Sequence, residues 1–325
     1  MKYLLRRLGF YVLAAWASVT LNFFLPRMMP GDPGDALMAR LQGRARPETI
    51  EAMRQAYGLS KDPIYQQYFS YLKNLANGEF GISISRFPAP VTEVIGQGFA
   101  WTLILGLSAT IISFVIGNLL GIVGAWRRGG MVDSVMPPLL IFIGSFPYFW
   151  LASLALFFLS FEQGWFPLRH AYSDDLSPTF SIEFFGSVLL HLVLPATTIV
   201  VVSIGGWVLG MRNAMISTLS EDYVTMAEAK GLSNKRVMFN YAARNALLPN
   251  VTAFGMSLGF VLSGALLTEV VFGYPGLGYQ LISAVQALDY PLMQGLFLML
   301  TLSVLVANFI ADLLYVRLDP RVRGN

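Results

Sequence analysis

Cysteine is missing from this sequence, histidine is nearly so, and charge is scarce. Without cysteine there are no disulfides and no thiolate metal sites. The two histidines, His170 and His191, stand far apart, so a histidine-rich metal centre is excluded as well. Only 13% of the residues are charged, against about 25% in ordinary soluble domains. A net charge of +3 with no basic run gives nucleic acid nothing to bind. No G-x-x-x-x-G-K-[ST] segment occurs, so the chain has no P-loop of its own. The one glycine-rich segment that invites the comparison, "GYPGLG" (273–278), lacks the strand-then-helix setting of a nucleotide fingerprint and reads as a turn.

What the sequence has instead is oil: 55% of its 325 residues are hydrophobic. A spanning helix needs roughly 20 mainly apolar residues. Six stretches qualify, about 8–26, 98–126, 134–160, 186–210, 250–272 and 292–314. The third contains Pro137, Pro138 and Pro147 and the fourth Pro195, which membrane helices tolerate when neighbours re-satisfy the freed carbonyls. The N-terminal run is longer than a signal-peptide core and lacks a small-x-small site after it, so it reads as a retained span. Orientation follows from Lys and Arg in the connections. With the N-terminus inside, the internal segments hold thirteen basic residues against six acidic ones, among them Arg127, Arg128, Arg212, Lys230, Lys235 and Arg236. The expectation is an all-α membrane protein with six transmembrane helices, multi-pass, with both termini cytoplasmic.

The chain divides into residues 1–29 (tail and first span), an external loop over 30–97, and a five-helix core over 98–325. In the loop, "RPETIEAMRQAYG" and "DPIYQQYFSYLKNLANG" predict two amphipathic helices. For the second, Asp62 is set to cap, Pro63 to start, and Tyr65, Tyr68, Phe69, Leu72 and Leu75 to share a face. The core is interrupted at 211–249 by the charge-bearing stretch "EDYVTMAEAKGLSNKRVMFNYAARNALLP" (221–249). Ser220 is placed to cap a helix opening with Glu221 and Asp222; Tyr223, Met226, Ala227 and Lys230 fall on one face, and Gly231 supplies a left-handed stop. By these residues alone the stretch is either an interfacial amphipathic helix or a docking element for a cytoplasmic protein.

The spacing "AEAKG" followed by "RNALLP" resembles the cytoplasmic loop of binding-protein-dependent ABC importer permeases, in their oligopeptide/dipeptide form. Thr225 and Met226 stand at the Glu and first Ala of the family's Glu-Ala-Ala pattern, Ala227 at the second Ala and Gly231 at the Gly. "RMMPGDP" (27–33), "TEVVFGYPGLG" (268–278), "DYPLMQG" (289–295) and "NFIADLLYVRLDPRVR" (308–323) resemble the same branch, in order along the whole chain. The resemblance implies a type I ABC importer permease fold in a bacterial or archaeal cytoplasmic (inner) membrane. It implies four kinds of partner: a second homologous permease subunit, two cytoplasmic ABC ATPase subunits carrying ATP and Mg, an extracytoplasmic solute-binding protein, and the lipid bilayer. This chain would be non-catalytic, hold no cofactor, and form the path for a peptide or oligosaccharide-type solute. Tyr223, Thr225, Met226, Ala227, Glu228, Ala229 and Gly231 would form the ATPase-coupling loop, with small residues allowing close approach. Glu269, Phe272 and Tyr274 become candidates for the translocation path or outer gate.

Other features have blander readings. "GNLLG" (117–121) is a helix-packing pattern. His191 reads as a satisfied packing residue, and Phe146, Tyr148, Phe149 and Trp150 as lipid or core packing before path lining. Asp312 pairs or reaches water. An ion-coupled secondary carrier is the rival function; it needs intramembrane ionisable groups and often inverted repeats, and only Glu269 and Asp312 qualify. Glu269 sits near the edge of its span, where a carboxylate is expected to reach water. An intramembrane enzyme needs a nucleophile–base pair or metal motif, and none stands within the spans.

Overall fold

The computed structural model describes residues 2–28, 62–264 and 266–318. The first predicted loop helix (46–58) and the C-terminal motif beyond 318 lie outside the described residues, as does the side chain of Asp312. Among the described residues the chain is helical without a strand, apart from one isolated bridge between Ile82 and Pro90.

In chain order the helices are α1 (Lys2–Arg27), α2 (Ile64–Ala76), α3 (Val91–Trp126), α4 (Met131–Gly144), α5 (Tyr148–Ala155), α6 (Ile182–Leu219), α7 (Asp222–Ala229), α8 (Asn234–Arg236), α9 (Arg244–Gly264), α10 (Leu266–Val271), α11 (Leu277–Gln286) and α12 (Tyr290–Leu318). Two stretches are π-wound: Leu156–Glu162 continues α5, and Val237–Ala243 joins α8 to α9. Among the described residues, four helices are long and apolar enough to cross a membrane. They lie in α1, α3, α6 and α12, and the pair α4–α5 makes a fifth if taken as one broken span. The pair bends by 92° at Ser145–Pro147. The sequence marked only proline tolerance here; Pro147 has no N–H to donate and stands as the cap residue of α5, so the ladder restarts on a new axis. The expected span over 250–272 is covered by α9 and α10, with residue 265 between them undescribed.

The chain separates into two compact units. Of the described residues, one unit comprises those up to 102 and 275–309. In it, α2 packs against the last turns of α1. The Thr20 and Tyr68 hydroxyls meet at 2.8 Å, and Phe23 is buried against Tyr68 and Tyr71. Pro63 precedes the helix as expected, but the Asp62 side chain makes no cap; its backbone carbonyl accepts from Gln67 instead. Tyr65 and Phe69 face away, because the contact side is set by Phe23 and runs through Tyr68 and Tyr71. Asp289, fully buried, caps α12 by accepting from the Leu292 N–H. It also accepts from the Ser83 and Ser85 hydroxyls at 2.5 and 2.7 Å and from the Ser85 N–H at 2.8 Å.

The other unit comprises the described residues of 103–274 and 310–318. Its centre is α6, against which α3, α4 and α5 pack. The "GNLLG" glycines do what their spacing predicts. A Cβ on Gly117 would lie 2.5 Å from the Cβ of Trp207, and one on Gly121 2.7 Å from the Val208 carbonyl. Close approach recurs between α4 and α6, where a Cβ on Gly144 would meet the Val202 carbonyl at 3.0 Å and one on Gly205 the Leu140 carbonyl at 3.1 Å. A buried amide pair ties α3 to α9: Asn250 donates to Asn118 Oδ1 at 2.6 Å, and Asn118 donates to the Phe114 carbonyl.

Candidate functional site

The 221–249 stretch forms a short helix and a longer one around a glycine turn. Ser220 does not cap α7; it closes α6, its hydroxyl donating to the Ser217 carbonyl, and Glu221 takes the cap position through its extended backbone alone. The α7 helix is only eight residues long, too short to persist by propensity, so tertiary contacts must hold it. Val224 and Ala227, one turn apart, are its buried side. They enter a cluster with Ile122 and Ala125 of α3, Met211 and Met215 of α6, and Val237, Ala242 and Ala246. Of the residues expected to share one face, Tyr223, Met226 and Lys230 are exposed and only Ala227 is buried, paired with Val224 on the inner side. Ala227 therefore anchors the helix and is not part of its outward surface.

That surface carries Tyr223, Thr225, Met226, Glu228 and Ala229, with Gly231 after them, all exposed. Tyr223 is steadied from the side, its hydroxyl accepting from Asn245 Nδ2 at 2.9 Å. Gly231 has φ +72°. Its N–H donates to the Glu228 carbonyl at 2.8 Å, and the Leu232 N–H donates to the Ala227 carbonyl. These two bonds are the Schellman arrangement, with Gly at the left-handed position, and Leu232 folds back on the same cluster.

The second candidate group lies at the end of α10. Glu269 and Tyr274 are fully buried and Phe272 nearly so. A second Schellman turn forms here: the Tyr274 N–H donates to the Glu269 carbonyl at 2.8 Å and the Gly273 N–H to that of Val270, with Gly273 at φ +53°. "GYPG" is thus the turn its composition predicts. Beyond the end of α10, burial raises the Tyr274 phenol above its ordinary range, and the nearby Glu269 carboxylate adds to the effect. Glu269 does not reach water as expected: it is fully buried, and the turn folds Tyr274 back toward it.

Two polar pairs escaped the sequence reading. One is Asn118–Asn250. The other joins Asp133, in the first turn of α4, to Arg212 of α6. Arg212 Nη2 donates to Asp133 Oδ2 at 3.1 Å, Nε donates to Oδ1, and the Gly129 N–H donates to Oδ2 at 2.9 Å. The signal was an arginine directly after a long apolar run, counted only as a loop charge. His191 is buried and its Nδ1 meets the Ser187 carbonyl at 2.8 Å, the packing role expected of it. Among the described residues no group of three or more His, Asp or Glu is placed to hold a metal ion.

Comparison with known proteins agrees along the whole chain. Residues 117–324 match the model of the binding-protein-dependent transport system inner membrane component, and residues 1–106 that of the family's N-terminal membrane component. The chain is 34% identical over 336 residues to the di/tripeptide transport system permease protein of Pseudomonas aeruginosa, covering 99% of both. It is 34% identical over 339 residues to the dipeptide transport system permease protein of Escherichia coli K12, again covering 99% of both. With the oligopeptide transport system permease protein of Bacillus subtilis the identity is 34% over 322 residues and 98% of each chain. Long apolar helices, a short helix anchored on two of them and matches over both halves lead to one assignment: the chain belongs to the family of binding-protein-dependent transport system inner membrane components.

Proposed function

We propose that this chain is the membrane-spanning subunit of an ATP-driven importer of peptides, working without catalytic residues of its own. It works with a second homologous permease subunit, two ATPase subunits that bind ATP and Mg, and an external binding protein that delivers the solute. The observation that carries the reading is α7: an eight-residue helix whose inner side is locked onto α3, α6 and the π-wound segment while its other side stands exposed. A purely interfacial helix needs no such anchor. A helix that must receive force from a partner and pass it to spanning helices does. The peptide class comes from the relatives, whose names specify di/tripeptide, dipeptide and oligopeptide transport. In this reading the chain crosses a bacterial or archaeal inner membrane six times with both termini in the cytoplasm. The loop from Tyr223 to Gly231 meets the ATPase, and Glu269, Phe272 and Tyr274 shape the outer mouth.

The buried Glu269 gives the ion-coupled carrier a foothold, and a single experiment separates the two readings. Peptide uptake is measured in vesicles with fixed internal ATP, with and without a proton uncoupler, for the wild-type complex and Glu269→Gln. Uptake should persist with the uncoupler and keep its pH dependence in the variant. Uptake that stops with the uncoupler while ATP hydrolysis continues would establish the carrier.

A further inference from the structure

We infer that Asp133 and Arg212 are positioning residues for transport: their ion pair fastens the broken span α4–α5 to the end of α6 that carries the coupling helix α7. The inference rests on the proposed coupling role of α7 and extends it from the docking surface to a moving part.

The geometry starts from length. The 38 residues of α6 make a rod of about 57 Å, nearly twice the roughly 30 Å hydrocarbon core, so its last turns project beyond the membrane toward α7. Arg212 lies in that last part, next to Met211, which belongs to the cluster anchoring α7. Asp133 is 5% exposed and receives both arms of the Arg212 fork, with the Gly129 N–H as its third donor. One carboxylate therefore joins the Arg127–Gly130 turn, the first turn of α4 and the lower part of α6. Farther along the same helix pair, Gly144 and Gly205 bring the two backbones into direct contact. A polar tie at one end and a backbone contact at the other keep α4 from sliding on α6. Past Gly144 the chain breaks by 92°, and the break carries Phe146 stacked on Trp150. A displacement of α7 is thus delivered to the break through α6 and α4.

Stability alone is a poor reason for the pair. With the Arg212 side chain 25% exposed, solvent screens the pair, and such ion pairs contribute little to stability. A fixed bidentate geometry, by contrast, specifies register. The pair is worth most where two helices must move as one.

The test is the complete complex, permease with its partner subunits, reconstituted in proteoliposomes. Asp133→Ala with Arg212→Met removes both charges and keeps the arginine stem's packing, so no buried charge is left unpaired. We expect normal insertion, normal ATPase association and continued ATP hydrolysis, with solute moved per ATP falling about tenfold, within the span of typical coupling energies. Asp133→Asn alone, which keeps the shape and weakens the tie, should fall between the double variant and wild type. Wild-type transport per ATP in the double variant overturns the inference, because a pair needed only for charge balance is dispensable once both charges are gone. Loss of assembly in both variants overturns it too, by assigning the pair to folding. ATPase association is scored in the same preparations with Gly231→Val. If the ATPases dock without regard to the 222–231 surface, the coupling reading fails, whatever the double variant does.

Discussion

Gly231 offers the sharpest probe of the proposed coupling helix, because its backbone and its surroundings make different demands. Its φ of +72° places it in the left-handed region, yet a Cβ built there meets nothing within 4 Å in this chain. Any loss on substitution inside the chain is therefore conformational. An L-residue held in that region costs roughly 1–2 kcal/mol, with asparagine the tolerated exception. Against a whole-chain stability of about 5–15 kcal/mol that does not prevent insertion. Locally it competes with two hydrogen bonds and one leucine contact, and about 1–2 kcal/mol changes the proportion of formed turns by roughly 5- to 30-fold. ATP-driven uptake by reconstituted complexes, normalised to inserted permease, should fall in the order Gly231, Gly231→Asn, Gly231→Ala, Gly231→Val. Asparagine should stay near wild type, alanine lose several-fold, and the β-branched valine lose most. If asparagine is as damaging as valine, side-chain bulk against the partner matters and backbone conformation does not. If valine, combined with Ala227→Glu, leaves transport unchanged, the stretch is not the docking element.

Two further outcomes follow from other parts of the fold. Since the chain has no native cysteine and both Ser177 and Ser233 are exposed, Ser177→Cys should react with an impermeant maleimide in intact cells and Ser233→Cys only after the membrane is opened; labelling of Ser233→Cys from outside reverses the orientation. Asp289→Ala takes the carboxylate acceptor from two serine hydroxyls and removes a helix cap, which should cost about 2–4 kcal/mol and lower the thermal midpoint of the detergent-purified chain by several degrees, while an unchanged midpoint would mean the cluster carries no stability.

What the sequence made legible is what short-range patterning decides. Apolar runs became long helices, "GNLLG" became a close helix crossing, Gly231 became a left-handed stop and "GYPGLG" a turn, because each depends on a few neighbouring residues. The face of α7 was not legible: Val224 and Met226 are both apolar, and only the cluster brought from α3 and α6 decides that the first is buried and the second exposed. Nor were the π-wound turns at 156–162 and 237–243, which sacrifice regular bonding for packing no local motif announces. The polar ties lay farthest from reach. Ser83 and Asp289 are 206 positions apart, and Asn118 and Asn250 are 132 apart, so each half of a pair looks like an ordinary loop or helix residue until the fold closes.

The two glycine stops have a joint meaning. From Asn234 through the π-wound turns to Gly264 the chain runs as one uninterrupted helix, about 45 Å long at ordinary rise. A Schellman turn at Gly231 precedes it, and a second at Gly273 follows α10. The candidate docking surface adjoins the first turn, and Glu269, Phe272 and Tyr274 adjoin the second. Both candidate sites thus belong to one bracketed stretch, with Asn250 pinning its middle to α3. Such a strut suits a machine whose energy arrives at one end from a separate protein and whose solute enters at the other. An ion-coupled carrier receives its energy at the ion site itself and has no use for a locked, exposed helix at the far end. The buried Glu269 is then an element of the upper turn, held by the same fold-back that buries Tyr274, and its carboxylate needs no proton traffic to explain its place.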